Sequence, residues 1–208
     1  YNLPYLLAHY YNTVEDGVVN DRFNGLYKGY STKEYKQGKT SRSEKWEMCR
    51  GMGMSFGYNA NEGNEHLISV KDLVSLLVST VADNGNLLLN IGPKPDGTIP
   101  QEQAERLRAL GRWLKVNGEG IYGSRCSERT MKKLENGVEI RFTKKGSREY
   151  VFLDHLPAGG VEFELEGCKE TAVPLASHIT VEEKAEQGRT IFRVSGYKED
   201  DYTVVLKI

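Results

Sequence analysis

The stretch Gly85-Asn86-Leu87-Leu88-Leu89-Asn90-Ile91 constrains the fold more than any other. A strand with one wet face alternates apolar and polar residues. A nearly continuous apolar run argues instead for burial on both faces, hence for a parallel sheet or barrel. The flanking segments agree. Ser69 followed by Asp72 reads as a helix start, weaker than the usual pairing with Glu or Gln. Leu73, Val74, Leu76, Leu77, Val78 and Val81 give that helix a wide apolar face, and Asp83-Asn84-Gly85 ends it. After the strand, Gly92-Pro93 and Pro95-Asp96-Gly97 form an exit loop. A second helix starts near Pro100, with Ala104, Leu107, Leu110 and Leu114 on one stripe, Trp113 at its edge, and Asn117-Gly118 at its end.

The chain before this unit reads as more of the same architecture. Leu6, Leu7, Tyr10, Tyr11 and Val14 have helical spacing over residues 5–14. After the turn at Asp16-Gly17, Val18-Val19 is expected to be a short buried strand. Residues 23–45 are polar and glycine-containing, and are read as a long loop; residues 46–58 are read as a strand with its exit loop, and 59–68 as another polar loop. Beyond Thr130 the pattern changes. Val138, Ile140 and Phe142 alternate with charged or hydroxylated residues, and short strands follow at 150–153, 161–165, 179–181, 190–194 and 202–206. Turn residues separate them, the signature of an antiparallel β-sandwich. The division falls near residues 123–129, giving an α/β part at 1–124 and an all-β part at 125–208.

Bulk properties exclude some classes. A formal net charge of −1 gives no electrostatic case for nucleic acid or an anionic membrane. No apolar run approaches the roughly 20 residues of a membrane-spanning helix. The three cysteines, Cys49, Cys126 and Cys168, lie far apart without C-x-x-C spacing, so neither a disulfide framework nor a zinc site is expected. His9, His66, His155 and His178 are scattered, and none is assigned to a metal. The start, Tyr1-Asn2-Leu3-Pro4, reads as internal to a larger protein, and the compartment stays unassigned.

Chemistry concentrates between Gly17 and Tyr58. Val18-Val19-Asn20-Asp21-Arg22 reads as a strand delivering polar groups at its C-terminal end, where barrel sites are built. Glu34 follows in the polar loop, then Trp46, then the aromatic run Ser55-Phe56-Gly57-Tyr58. A cation, a carboxylate and aromatic rings converging at strand ends suit a sugar-cleaving site. Glu47 competes with Glu34 as the working carboxylate but reads as a structural partner to a buried cation; Asp21 reads as an organiser of the strand end. Trp46 suits a site wall and a core position equally, and Phe56 and Tyr58 also read as ordinary core aromatics.

With these pieces in order, the chain resembles the C-terminal part of the retaining α-L-fucosidases of glycoside hydrolase family 29. The matching residues are Val18-Val19-Asn20-Asp21-Arg22, Trp46-Glu47-Met48-Cys49, Ser55-Phe56-Gly57-Tyr58-Asn59, the run from Gly85 to Pro93, Asp96-Gly97, and Gly111-Arg112-Trp113-Leu114 through Asn117 to Gly123. The resemblance implies the later strands and helices of a TIM-like (β/α) barrel followed by an antiparallel β-sandwich. It implies cleavage of terminal α-L-fucose from a fucoside with retention and without a cofactor. By position, Glu34 corresponds to the general acid/base, Arg22 to an arginine that contacts the fucose ring, and Phe56 to the aromatic wall beside the sugar's methyl group. Trp46 is a further wall candidate.

Retention needs two carboxyl groups, a nucleophile and an acid/base. The family's nucleophilic aspartate belongs to an earlier strand, so the resemblance implies a missing N-terminal half as an obligate partner; homo-oligomerisation is a further expectation. A paired guanidinium favours the ionised form of a carboxylate. The acid role therefore calls for Arg22 to face the sugar rather than Glu34. The alternative reading is a non-catalytic carbohydrate-binding or scaffold piece.

Overall fold

The structure is a computed structural model, described here for residues 2–23, 25–35, 42–168 and 171–208. Helix α1 spans Leu3–Thr13, with the Asn2 side chain accepting from the Tyr5 N–H and Pro4 in the first turn, where its missing N–H is no loss. None of its residues is buried. The helical spacing is realised, but the apolar side it predicts faces solvent.

The buried strand expected at Val18-Val19 is reduced to one bridge. Val18 is 60% exposed, and only Asn20 pairs, in parallel, with Tyr30. The reason is local: the chain turns away at Asp21, so contact with the neighbouring edge stops at this bridge and the bond from the Gly29 N–H to the Val19 carbonyl. That edge is a strand where a loop was expected. Strand β1, Ser31–Glu34, is wholly polar and so carries no hydrophobic pattern. It forms because its backbone pairs in parallel with β2, Trp46–Gly51, which pairs in parallel with β3, Gly85–Asn90.

Register sorts the three strands into two faces, because side chains on paired positions point the same way. Trp46, Met48, Leu87 and Leu89 lie on one face, beneath helix α2, Val70–Ala82. The α2 side chains Leu73, Val74 and Val78 are fully buried there. The helix starts as its sequence indicates: the Ser69 hydroxyl accepts from the Asp72 N–H at 3.0 Å. It ends at Asn84, whose φ of 68° is a left-handed value that asparagine tolerates. The opposite face carries Thr32, Glu34, Glu47, Cys49, Asn86 and Leu88. Leu88 is 50% exposed, so β3 is not buried on both faces as its apolar run suggests. Helices cover one side of the sheet, and among the described residues nothing covers the other.

Helix α3, Gln101–Asn117, buries Gln103, Ala109, Leu110, Trp113 and Asn117. The expected stripe of Ala104, Leu107 and Leu114 sits half-buried at its border. Two polar groups explain the rotation. Gln103 Oε1 accepts from the Gly92 N–H at 3.0 Å, and the Trp113 indole donates to the Thr203 carbonyl at 2.9 Å. A count of apolar residues does not register such contacts.

The remaining strands are β4 (Arg125–Cys126), β5 (Lys132–Lys133), β6 (Glu139–Lys145), β7 (Arg148–Asp154), β8 (Val161–Glu166), β9 (Val173–Pro174), β10 (Thr180–Glu186), β11 (Arg189–Ser195) and β12 (Val204–Lys207). One antiparallel sheet runs β4-β6-β7-β12-β9, with β5 also on β6; the other runs β10-β11-β8. Between them lie Ile140, Phe142, Val151, Leu153, Phe163, Phe192, Val194 and Leu206, with Phe163 stacked on Phe192 at 5.2 Å. This is the β-sandwich that the period-2 pattern indicates. The alternate residues of β7, Tyr150 and Phe152, join Val205 in a second core with Leu73, Val74, Leu110 and Trp113. Among the described residues no helix is long and apolar enough to cross a membrane.

Candidate active site

Because β1, β2 and β3 are parallel, their C-terminal ends share one rim, marked by Glu34, Gly51 and Asn90. Glu34 stands on the open face of the sheet at that rim, paired in register with Cys49. The turn that carries Arg22 is built to reach it. Asn20 Oδ1 accepts from the Arg22 N–H at 3.1 Å, which tightens the turn. Asp21 Oδ1 accepts from the Thr32 N–H at 3.0 Å and from its hydroxyl at 2.8 Å, pinning the turn to β1. Burial pushes the Asp21 carboxyl up, but the two Thr32 bonds prevail and hold it below the usual range. Asp21 thus organises the strand end.

Arg22 Nη2 donates to Glu34 Oε1 at 2.5 Å. That hydrogen bond, then the Glu34 charge, push the guanidinium above its ordinary value. The geometry expected for an acid, with Arg22 turned to the sugar and away from Glu34, is therefore not the one present. The two side chains are joined as an ion pair at the rim.

The aromatic wall comes from the loop after β2. Glu62 Oε1 accepts from the Met54 N–H at 3.1 Å and from the Ser55 hydroxyl at 2.8 Å. The Asn90 amide donates to the Phe56 carbonyl, tying this loop to the end of β3. The Phe56 ring is 37% exposed and meets the Tyr35 ring edge-on at 5.1 Å. Gly92 lies beneath: a Cβ there would stand 2.8 Å from the Tyr58 nitrogen, so only glycine fits.

Trp46 is corrected by its placement. It begins β2, at the end of the strand away from Glu34 and Phe56, and is 4% exposed. Its indole donates to the Asp83 carbonyl at 2.8 Å, and its ring fills the space a side chain at Gly85 would need, a Cβ there standing 2.5 Å away. It packs the helix side of the sheet and does not wall the rim.

Sequence reasoning missed the grouping of Glu47 and Cys49 beside Glu34, and one further neighbour. Glu47 shares the open face with Glu34, and among the described residues it has no salt bridge, so the buried cation expected beside it is not found. Burial first, then the charges of Glu34 and Glu47, push the Cys49 thiol up. Register pairing would have revealed this cluster, had β1 been recognised as a strand. Tyr35, directly after Glu34, is the second omission. Among the described residues, no group of three or more His, Cys, Asp or Glu is placed to hold a metal. A cleft of about 540 Å³ between α3 and residues 175–178 and 200–202 contains none of the candidate residues.

A strand-end carboxylate beside a guanidinium and an apolar ring can exchange a proton with a bound polar substrate. A family model described as "Alpha-L-fucosidase" matches residues 2–119. The chain belongs to the α-L-fucosidase family. The tissue alpha-L-fucosidase of Macaca fascicularis is 37% identical over 155 residues, which are 71% of this chain and 32% of that protein. The plasma alpha-L-fucosidase of Pongo abelii is 42% identical over 132 residues, 59% of this chain and 28% of that one. The solved α-fucosidase of Thermotoga maritima in complex with fucose superposes with a TM-score of 0.78 at 39% identity, covering 99% of this chain and 48% of that one. The chain therefore spans about half the length of that structure and about a third of the curated relatives.

Proposed function

We propose that this chain is the C-terminal part of a retaining exo-α-L-fucosidase, which hydrolyses terminal α-L-fucose from glycosides. Residues 1–124 supply the later strands and helices of a (β/α) barrel, and residues 125–208 the β-sandwich behind it. The reading is supported chiefly by one observation: at the C-terminal rim of a parallel sheet Arg22 pairs with Glu34 on the uncovered face, and the next residue, Tyr35, meets the Phe56 ring. Barrel enzymes place their chemistry at that rim.

In this mechanism an aspartate from an N-terminal barrel segment attacks the anomeric carbon. Glu34 protonates the departing oxygen, then takes a proton from water as the glycosyl-enzyme is hydrolysed. Arg22 swings from Glu34 to the sugar hydroxyls as fucose enters, which releases the carboxyl group for its acid role. Phe56 provides the apolar wall for the sugar's methyl group. Covering the open face with the N-terminal segment buries Leu88 and turns the polar row Thr32, Glu34, Glu47 and Asn86 inward. The chemistry needs no cofactor.

The test is hydrolysis of an aryl α-L-fucoside by the complete protein, with the first-formed anomer followed by proton NMR. Release of α-fucose first is expected. Release of β-fucose first would remove the retaining mechanism, and no release would remove the fucosidase reading.

A further inference from the structure

We infer that Tyr35 is a positioning residue for the acid/base group, clamping the end of β1 to the end of β2 and to the Phe56 wall. The inference rests on the assignment of Glu34 above. Tyr35 is the residue directly after Glu34, and its φ of 52° is a left-handed value that a bulky aromatic side chain rarely adopts. Such a backbone persists only where its surroundings hold it. Here four contacts do so. The Tyr35 N–H donates to the Cys49 carbonyl at 3.3 Å. The Tyr35 hydroxyl accepts from the Gly51 N–H at 3.0 Å. The ring meets Phe56 edge-on at 5.1 Å, with the Arg50 guanidinium 5.4 Å from its centroid.

Gly51 completes the device. A Cβ at that position would stand 2.7 Å from the Tyr35 hydroxyl and 2.5 Å from the Ser55 carbonyl oxygen, so the hydroxyl reaches the backbone only because the position is glycine. The left-handed step turns the chain out of β1 just after the carboxylate. The hydroxyl anchor then fixes where that turn sits. The carboxyl group comes from the end of β1 and the apolar wall from the loop after β2; Tyr35 follows the first in the chain and packs its ring against the second. An acid must be held within hydrogen-bond reach of the oxygen it protonates. Tyr35 sets that distance without touching the substrate.

The experiment compares Tyr35→Phe with the unaltered complete enzyme on two α-L-fucosides: a dinitrophenyl fucoside, whose leaving group needs no proton, and a phenyl fucoside, whose leaving group does. The variant keeps the ring and loses only the hydroxyl anchor. We expect kcat/KM on the phenyl fucoside to fall at least tenfold and on the dinitrophenyl fucoside less than twofold. A merely structural role lowers both alike, and that result, or no loss on either, would overturn the inference. If Tyr35→Phe fails to fold, Tyr35→Asn, which suits the left-handed backbone, is read by the same ratio. Failure of the unaltered enzyme on both substrates would instead reject the fucosidase reading, and the inference with it.

Discussion

Arg22 Nη2 and Glu34 Oε1 are 2.5 Å apart across 12 residues of chain. Their side chains are 51% and 46% exposed, so water screens the attraction and the pair is easily exchanged. A weakly held guanidinium at the rim can be drawn to a substrate that offers several hydroxyl groups. The ion pair is therefore compatible with an arginine that binds sugar and a glutamate that moves protons.

Replacing Arg22 with Met should lower kcat/KM on every aryl fucoside by about 10–100-fold, the effect of losing hydrogen bonds from a charged group. The loss should not depend on the leaving group. A loss confined to poor leaving groups would place Arg22 in proton transfer instead.

Glu34→Ala should behave in the opposite way. The kcat/KM for a poor leaving group should fall by roughly 10²–10⁴-fold, the usual scale of general acid catalysis, while kcat/KM for dinitrophenyl fucoside is largely spared. Near-normal turnover on both would remove Glu34 from the mechanism and make Glu47, on the same face, the next carboxylate to test.

Phe56→Ala should erode recognition of the sugar's methyl group. Discrimination between a fucoside and its analogue lacking that methyl should shrink by about 10-fold, since one methyl in an apolar pocket is worth about 1–3 kcal/mol. Competition kinetics on the two sugars would measure the ratio, and an unchanged ratio would place the wall elsewhere.

Trp46→Ala should cost about 3–5 kcal/mol in urea denaturation, as expected for a buried tryptophan. Trp46→Phe should cost far less, chiefly the hydrogen bond to Asp83, and leave kcat and KM intact. A rise in KM for a stably folded Trp46→Phe would return Trp46 to the site.

The Glu119 carboxyl predicts a pH effect on stability. The Tyr150 hydroxyl, 2.8 Å away, lowers its pKa most; burial opposes this, and Lys207 adds to the lowering. A folded pKa below the unfolded one means that the contribution is present above the unfolded carboxylate range and lost as pH falls through the folded value. Glu119→Gln should thus lower Tm at neutral pH by roughly 1–3 °C, a modest figure because the group is partly solvent-screened. The difference from the parent protein should vanish in strong acid; a difference that persisted there would point to packing rather than charge.

The sequence made some elements plain and hid others for identifiable reasons. Helix α2, strand β3 and the sandwich strands β6, β7, β8, β11 and β12 announce themselves through apolar spacing, whereas the two-residue strands β4, β5 and β9 and the polar β10 do not; Ser69 and Asn84 mark the ends of α2. Strand β1 is held by backbone pairing alone, so its polar side chains gave no pattern, and Glu34 looked like a loop residue. The apolar run of β3 was read as two-sided burial, whereas Leu88 has a covering partner on neither neighbouring strand nor helix among the described residues. Residues 36–41 of the expected loop lie outside the described residues. The relation of Arg22 to Glu34 and Phe56 to Tyr35 depends on distances between loops, which one-dimensional spacing does not encode.

Strand β7 sends Val151 and Leu153 into the sandwich, and Tyr150 and Phe152 among the helices. A graft exchanging residues 125–208 for those of a relative would bring in a strand whose outer residues had been shaped against different helices. The indole of Trp113 would also have to find its acceptor at Thr203 in foreign sequence. Recombination at this junction therefore breaks a fitted surface, and the two parts of this chain are expected to be inherited together rather than shuffled as modules.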